Sequence, residues 1–157
     1  MNWQHKKQPP FNEHLGVKIE EWQEGRVVIS VDLKPEHLNS QGAPHGGFIT
    51  TLIDIAGSYC GLYCPNPNRR RKSLTLSLTT NFTGQAKTNH LTAIGTLTSA
   101  GYKIFYSTTE VFDSQGTLIA TGQMTMRYRS GSEILEGEVI EESLTENLHS
   151  TLKCITL

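Results

Sequence analysis

The chain has 157 residues, of which 36% are hydrophobic and 18% are charged, and its formal net charge at pH 7 is −1. This length fits one domain with a sizeable core, and the composition excludes a disordered chain and a coiled coil. A net charge near zero provides no global field that attracts nucleic acid or an anionic membrane, so neither is expected as a partner. The charge is uneven: residues 1–130 carry 13 basic and 9 acidic groups, net +4, whereas residues 131–157 carry 1 and 6, net −5.

Residues 1–13 are interpreted as a polar leader segment, residues 14–130 as the folded domain and residues 131–157 as an acidic extension. The leader lacks the apolar core of a signal peptide. The most apolar long stretch, residues 48–64, is interrupted by polar side chains and is not a membrane span. A cytoplasmic location is therefore expected.

The chain contains three cysteines, Cys60, Cys64 and Cys154. An odd number of cysteines without a secretion signal does not indicate a disulfide framework. Cys60 and Cys64 would share a helix face, but no nearby His or Cys has the spacing of further zinc ligands. We therefore expect packing cysteines and no metal.

Two β-strands are predicted at the start of the domain, over residues 17–22 and 26–33. The second alternates apolar and polar side chains, as a half-buried strand does. A loop rich in Pro, Gly and Asn follows over residues 34–45. Apolar residues then cover nearly the whole circumference of a helix over residues 48–63, which predicts a buried helix that ends before Pro65.

Four further strands are predicted after the helix, over residues 73–82, 90–99, 103–112 and 117–129. Consecutive strands on short connections form an antiparallel sheet. Because the helix is apolar on nearly all sides, the sheet must curl around it, and the predicted class is α+β with about six strands around one long helix. Such a sheet leaves edges and an outer face uncovered, which predicts pairing of subunits. In the extension, apolar residues recur every four positions over 140–152 and predict a short amphipathic helix.

The segment before the helix carries the most informative motif, in which Asn39 is followed by His45, Gly46 and Gly47 at the predicted helix start. Glycines let another molecule approach the backbone closely, and the first amides of a helix have no partner within it. With the helix dipole, these amides form a site for an anion or a developing oxyanion. The alternative is that the two glycines only make a tight turn from loop to helix.

Asp54 interrupts the apolar helix near its middle. Aspartate is a poor helix former there, and its carboxylate is costly to bury unless a neighbour donates a hydrogen bond to it. Ser58, four residues further along the same helix face, can supply one such bond. The pattern favours a functional carboxylate over a solvated aspartate on a narrow exposed strip.

Gly47 and Asp54 are seven residues apart, so they share a helix face but lie about 10 Å apart along the axis. This distance is too long for both groups to act on one carbonyl within a single chain. If both serve one reaction, two subunits related by a two-fold axis share each site. One subunit then supplies the amide and the other the carboxylate.

These residues resemble the active-site signature of hotdog-fold acyl-CoA thioesterases of the phenylacetate-degradation and 4-hydroxybenzoyl-CoA type. The matching residues are Asn39, His45, Gly46, Gly47, Asp54 and Ser58. Residues 73–82 resemble the next strand of that family and residues 113–122 its last hairpin, so the resemblance covers residues 14–129. It implies a hotdog fold, homodimers or tetramers of two dimers, and hydrolysis of acyl-CoA to free acid and coenzyme A without a cofactor or metal.

By this resemblance, Asp54 is expected to act on the thioester as general base or nucleophile. The amide of Gly46, with or without that of Gly47, is expected to bind the carbonyl oxygen. A preorganised amide of this kind is worth on the order of 10²–10³ in rate. Asn39 and His45 match residues that shape the site and orient substrate or water. Ser58 matches a hydroxyl residue one turn beyond the acid, and Ser73 matches a serine that some members place near the attacking water.

A basic run, Arg69-Arg70-Arg71-Lys72, is predicted to lie in the loop after the helix. Four cations without interleaved aromatic side chains are too few to indicate nucleic-acid binding. The simplest interpretation is a solvated loop. The alternative is that the run contacts the phosphates of coenzyme A, with Lys103 and Lys87 as weaker candidates.

Two other functions are considered on the same fold, an acyl-thioester hydratase or dehydratase and a non-enzymatic acyl-CoA-binding protein. The first usually needs a His and an acid at one carbon, whereas His45 and Asp54 lie on opposite helix faces at about 100° per residue. The second does not need a carboxylate within a buried helix. Hydrolysis is therefore the favoured reaction.

Overall fold

The computed structural model describes residues 8–140, and its architecture is one antiparallel sheet curled around one long helix. The elements in chain order are α1 (Pro10–Leu15), β1 (Lys18–Gln23), β2 (Arg26–Asp32), α2 (Gly46–Tyr59), β3 (Arg69–Arg70), β4 (Ser73–Phe82), β5 (His90–Ala100), β6 (Ile104–Asp113), β7 (Leu118–Tyr128) and β8 (Glu138–Val139). A single turn of 3₁₀ helix, Pro35–His37, precedes α2. The α+β class, the main helix and the six main strands are confirmed.

The main sheet has six strands in the order β1-β2-β5-β6-β7-β4, and every neighbouring pair is antiparallel. The last strand, β4, pairs with β7 on one side only and forms an edge. It is 10 residues long, and Leu74, Leu76 and Phe82 on it are each about half exposed. A long edge with unpaired backbone groups and exposed apolar side chains is a surface that pairs with another strand.

Helix α2 lies against the concave face of the sheet, and small residues allow the close approach. A Cβ at Gly95 of β5 would overlap the carbonyl oxygen of Ala56, and a Cβ at Gly122 of β7 would overlap the side chain of Ile53. The helix therefore buries its apolar positions almost completely in the core. Within residues 8–140, no helix is long and apolar enough to cross a membrane.

Segments at both ends of the predicted domain pack onto it. From residue 8 onward, the segment interpreted as a leader contributes to the body: Asn12 of α1 is buried, and its Nδ2 donates to the hydroxyl of Tyr59 at 3.3 Å. At the other end, residues 131–140, named here the C-terminal strap, fold back so that β8 pairs with β3. Apart from residue 140, the amphipathic helix predicted over 140–152 lies outside the described residues.

Candidate active site

The start of α2 is held by the side chain of His45, which is the N-cap residue. Its Nδ1 accepts a hydrogen bond from the backbone N–H of Gly47 at 2.9 Å. Since Nδ1 accepts, the neutral imidazole carries its proton on Nε2. The His45 side chain is exposed, so this Nε2–H is presented at the surface beside the first turn of α2.

The two glycines of the motif have different roles in the structure. The N–H of Gly47 is already donated to His45, which corrects the expectation that this amide is free for an oxyanion. The N–H of Gly46 makes no hydrogen bond within residues 8–140. A Cβ at Gly46 would lie 3.2 Å from Cζ of Phe82 at the end of β4, so glycine leaves room for this ring. Gly46 is therefore the available donor.

The loop before α2 is ordered by the side chain of Asn39. Its Oδ1 accepts from the backbone N–H groups of Gln41 and Ala43, at 2.9 and 3.1 Å. The N–H of Asn39 in turn donates to the carbonyl of Ala43 at 2.8 Å. Asn39 thus shapes the loop that leads to the His45 motif, through contacts with the loop backbone.

The buried residue His37 supports the turn that leads from the loop into α2. The sequence pattern did not identify it as a site residue. Its ring stacks on Phe48 of α2, with the centroids 4.1 Å apart and the planes 10° from parallel. The carbonyl of His37 accepts from the N–H of His45 at 2.8 Å. Burial lowers the pKa of His37, so the neutral form is favoured. A lone histidine in a loop follows no periodic pattern, so the sequence carries no signal for this role.

Asp54 lies in the middle of α2, half-buried in the single chain, and its hydrogen-bond partner comes from β4. The hydroxyl of Thr75 donates to Asp54 Oδ1 at 2.8 Å. Ser58, the partner expected from helix spacing, makes no such bond within residues 8–140. Ser73 precedes Thr75 by two residues on the same face of β4, so it also lies towards the helix.

A polar strip runs along α2 beside β4. Spacings of three to four residues put its members on one helix face; they are Gly47, Thr51, Asp54 and Ser58. Gly46 approaches Phe82 at the end of β4, whereas Asp54 contacts Thr75 near its start, so α2 runs antiparallel to this strand. The polar strip therefore follows the unpaired edge of the sheet.

The amide and the carboxylate are far apart within one chain. Gly46 and Asp54 are eight residues apart, or about 12 Å at 1.5 Å per residue of helix. No single carbonyl carbon can be attacked from Asp54 while its oxygen is bound by the Gly46 amide of the same helix. Within one chain, the two groups therefore cannot act on the same carbonyl group.

The basic run is not a solvated loop, and this corrects the simpler interpretation of residues 69–72. Arg71 donates from Nε to the Ser132 carbonyl at 2.9 Å and from Nη1 to the Gly61 carbonyl at 3.1 Å. Its third bond, from Nη2, goes to the carbonyl of Glu133 at 3.4 Å. The guanidinium also lies 4.4 Å from the ring centroid of Tyr128. Arg71 therefore anchors the C-terminal strap and is not available to a phosphate.

The neighbours of Arg71 are also engaged. Lys72 and Arg70 both form ion pairs with Glu138 of the strap. Arg69 belongs to the short strand β3, which pairs with β8. The acidic extension thus neutralises part of the basic run, because the two segments pair directly. Lys103, another predicted phosphate contact, is exposed between β5 and β6.

The two described cysteines, Cys60 and Cys64, are buried, as expected of packing cysteines, and they are not joined by a disulfide. Burial raises the pKa of the Cys60 thiol to about 12, so it is not a nucleophile at neutral pH. Within residues 8–140, no three His, Cys, Asp or Glu side chains lie close enough together to hold a metal ion.

Comparison with known proteins gives one family and one recurrent fold. The model of the thioesterase superfamily matches residues 41–120, which include His45, Gly46, Gly47 and Asp54. A Saccharolobus solfataricus protein described as a putative esterase is 29% identical over 113 residues, covering 72% of this chain and 79% of the relative.

Solved structures share the fold at lower sequence identity. The E. coli PaaI protein, from the phenylacetic acid degradation operon, superimposes with a TM-score of 0.70 at 21% identity, over 80% of this chain and 88% of that one. A thioesterase family protein from Silicibacter pomeroyi gives a TM-score of 0.68 at 22% identity, over 76% and 89%. These matches confirm the hotdog fold.

Proposed function

The chain belongs to the thioesterase superfamily, and from that premise we propose that it hydrolyses acyl-CoA thioesters to a free acid and coenzyme A. The family supports thioesterase or esterase chemistry in general. In the proposed reaction, the oxygen of water adds to the thioester carbonyl carbon, the C–S bond breaks, and the departing thiolate takes up a proton. Asp54 acts as the base that removes a proton from this water. Alternatively, its carboxylate oxygen attacks the carbonyl carbon first and expels the thiolate, and water then hydrolyses the resulting anhydride to the free acid and the Asp54 carboxylate.

The main support for this proposal is the position of Asp54 on the polar strip, beside the unpaired edge of β4. Thr75 donates to Oδ1 of Asp54, and Oδ2 makes no hydrogen bond within residues 8–140. The bond from Thr75 orients the carboxylate and leaves one oxygen to accept a proton from water or to attack the carbonyl. A carboxylate with one fixed and one open oxygen is suited to this role.

The Gly46 amide is the proposed oxyanion donor. It is the first N–H of α2, it is unpaired within the described residues, and the positive end of the helix dipole lies there. Such a donor stabilises the negative charge that develops on the carbonyl oxygen. His45, which holds the next amide, keeps this turn in place and presents Nε2–H to orient the substrate.

The separation of Gly46 and Asp54 supports a second copy of the chain as the partner that completes the site. Pairing of two β4 edges about a two-fold axis would cover the exposed apolar residues of that strand and bring the polar strips of two helices together. Each of two sites would then take Asp54 from one subunit and Gly46 from the other. The proposed unit is therefore a homodimer, alone or within a tetramer.

The test is release of free thiol from a panel of CoA esters that runs from acetyl to palmitoyl and includes phenylacetyl. We expect turnover of at least one ester at a rate proportional to enzyme and abolished by heat denaturation. The panel also identifies the acyl group, because the acyl pocket would be formed by strands of both subunits. A protein that is folded and oligomeric but releases thiol from no ester contradicts the proposal.

A further inference from the structure

A concave region outside the candidate active site lies where β4 begins and β7 ends. It has a volume of about 470 Å³ and is bounded by strand ends and by the C-terminal strap. Four of its lining residues are cations and two are carboxylates: Lys72, Lys103, Arg127, Arg129, Glu133 and Glu138. We name it the basic cavity.

Backbone hydrogen bonds that continue the strand pairing beyond the strand ends hold the cations of the basic cavity together. The N–H of Arg129 donates to the carbonyl of Lys72 at 2.9 Å, and the N–H of Tyr128 donates to the carbonyl of Lys103 at 2.9 Å. Arg127 pairs with Leu74 of β4, and its side chain points to the face opposite the core. The cations therefore project from three adjacent, mutually bonded strand ends.

The charges of the basic cavity do not balance. Glu138 is paired with Lys72, but Lys103, Arg127 and Arg129 form no ion pair within residues 8–140. Four cations against two carboxylates leave an excess of +2. Clustered cations of this kind are stabilised by an anion with several acceptor oxygens, and guanidinium groups match the geometry of phosphate.

The basic cavity and Asp54 are near the same end of β4. Lys72 lies three residues before Thr75, which is about 10 Å of extended strand, and Thr75 donates to Asp54. Arg127 faces away from α2, so the edge of β4 separates the two regions. A ligand that reacts at Asp54 can therefore reach the basic cavity by passing around the start of β4.

We propose that the basic cavity binds phosphate groups. Two sources share this chemistry, the nucleotide end of a CoA ester whose thioester lies at Asp54, and a free nucleotide that binds independently of the substrate. The first source rests on the proposed function, whereas the second does not. In either case Arg127, Arg129 and Lys103 replace Arg71 as the phosphate ligands, because the guanidinium of Arg71 is committed to backbone carbonyls.

The first experiment measures binding of adenosine 3′,5′-bisphosphate to the full chain by calorimetry. The test variant is Lys103→Gln with Arg127→Gln, two exposed positions outside the core, and the control is Lys34→Gln, an exposed lysine that does not line the basic cavity. We expect affinity to fall about tenfold or more in the test variant, equivalent to about 1.4 kcal/mol, and to be unchanged in the control. Unchanged thermal unfolding of both variants shows that the fold is retained.

The second experiment distinguishes the two sources. The Michaelis constant is compared for a CoA ester and for the N-acetylcysteamine thioester of the same acid, which carries no phosphate. If the cavity holds the CoA nucleotide, the test variant raises KM about tenfold for the CoA ester alone. The expected factor is the same as for bisphosphate binding, because the same phosphate contacts are lost. If KM is unchanged while bisphosphate binding weakens, the phosphate site stands and its ligand is a free nucleotide. An equal rise in KM for both thioesters would contradict a nucleotide contact, since only one of them carries phosphate.

Failure of the site and failure of the proposed function give different results. Bisphosphate that does not bind the wild type, or binds the wild type and the test variant equally, overturns the phosphate site even if thioesters are hydrolysed. Conversely, bisphosphate binding that depends on Lys103 and Arg127 supports the site even if no thioester is hydrolysed.

Discussion

The polar strip of α2 and the basic run at residues 69–72 both contain charged side chains that could bind or react with a ligand. They differ in how far their hydrogen-bonding groups are already paired within the chain. On the polar strip, Asp54 receives one hydrogen bond and keeps its second oxygen open within the described residues. In the basic run, Arg71 makes three hydrogen bonds and a ring contact. The Asp54 carboxylate therefore remains available to a ligand, whereas the Arg71 guanidinium holds the C-terminal strap against the body of the protein.

This difference shows that a cluster of charges in a sequence does not by itself indicate a ligand site, because the chain can supply the partners itself. The acidic extension supplies backbone carbonyls and the Glu138 carboxylate to the basic run. The positive charges that suggest a bound anion in the sequence therefore have partners within the chain. The polar strip faces a strand edge that is unpaired on one side. Substitutions in the two regions should therefore separate activity from stability.

The largest effect is expected from Asp54→Asn, which keeps the shape of the side chain and removes its charge. We expect kcat to fall by about 10²-fold or more, the range for loss of a general base. The matched control is Asp32→Asn, an exposed aspartate that pairs with Lys18 and His90 away from α2. A folded Asp54→Asn variant that retains wild-type turnover would exclude the assigned role.

The next effect is on stability and comes from Arg71→Gln. Its three bonds to carbonyls are lost or weakened, and charged hydrogen bonds contribute about 1.5–3 kcal/mol each, so the free energy of unfolding should fall by about 2 kcal/mol or more. The control is Arg26→Gln, which loses one exposed ion pair with Glu21, worth about 0–1 kcal/mol. Urea unfolding measures both, and kcat of the folded proteins should not change. Equal stability of the two variants would contradict the anchoring role.

A smaller effect is expected from Thr75→Val, which removes the donor to Asp54 at nearly constant volume. We expect kcat to fall about tenfold, because one hydrogen bond to a charged group contributes about 1.5–3 kcal/mol and part is regained from water. Thr80→Val is the control on the same strand: its Oγ1 is buried and has no partner within residues 8–140. If the two variants lose the same activity, the bond to Asp54 does not orient the carboxylate.

The smallest effect concerns acid stability. The hydrogen bond from Lys18, with that from His90, lowers the pKa of Asp32 from 3.8 to about 2. Because the folded pKa is the lower one, the stabilisation is complete above the unfolded value and is lost as the pH falls through the interval from 3.8 to about 2. Asp32 is exposed, so the change is small. In urea unfolding across this interval, Asp32→Asn should lose less stability than the wild type, and an equal loss would exclude this contribution.

The sequence predicts the strands and the main helix well, because buried side chains recur with the period of each element. Alternation places the strands to within a few residues, and the apolar circumference of α2 predicts a wrapped helix. The bond from Thr75 to Asp54 depends on how β4 lies against α2, which no local pattern contains; its only signal is that Thr75 shares a face with Ser73. The partners of Arg71 are backbone carbonyls, which every residue carries, so composition alone cannot identify them.

In the proposed dimer, Asp54 of one subunit and the Gly46 amide of the other act on one carbonyl. Asp54→Asn and Gly46→Pro, which deletes the amide, are purified separately and mixed under conditions that exchange subunits. Each variant alone should be nearly inactive. Random exchange makes half of the dimers mixed, and each mixed dimer has one site with both defects and one intact site, so activity should return to about a quarter of wild type. If subunits demonstrably exchange and no activity returns, the shared-site account is contradicted.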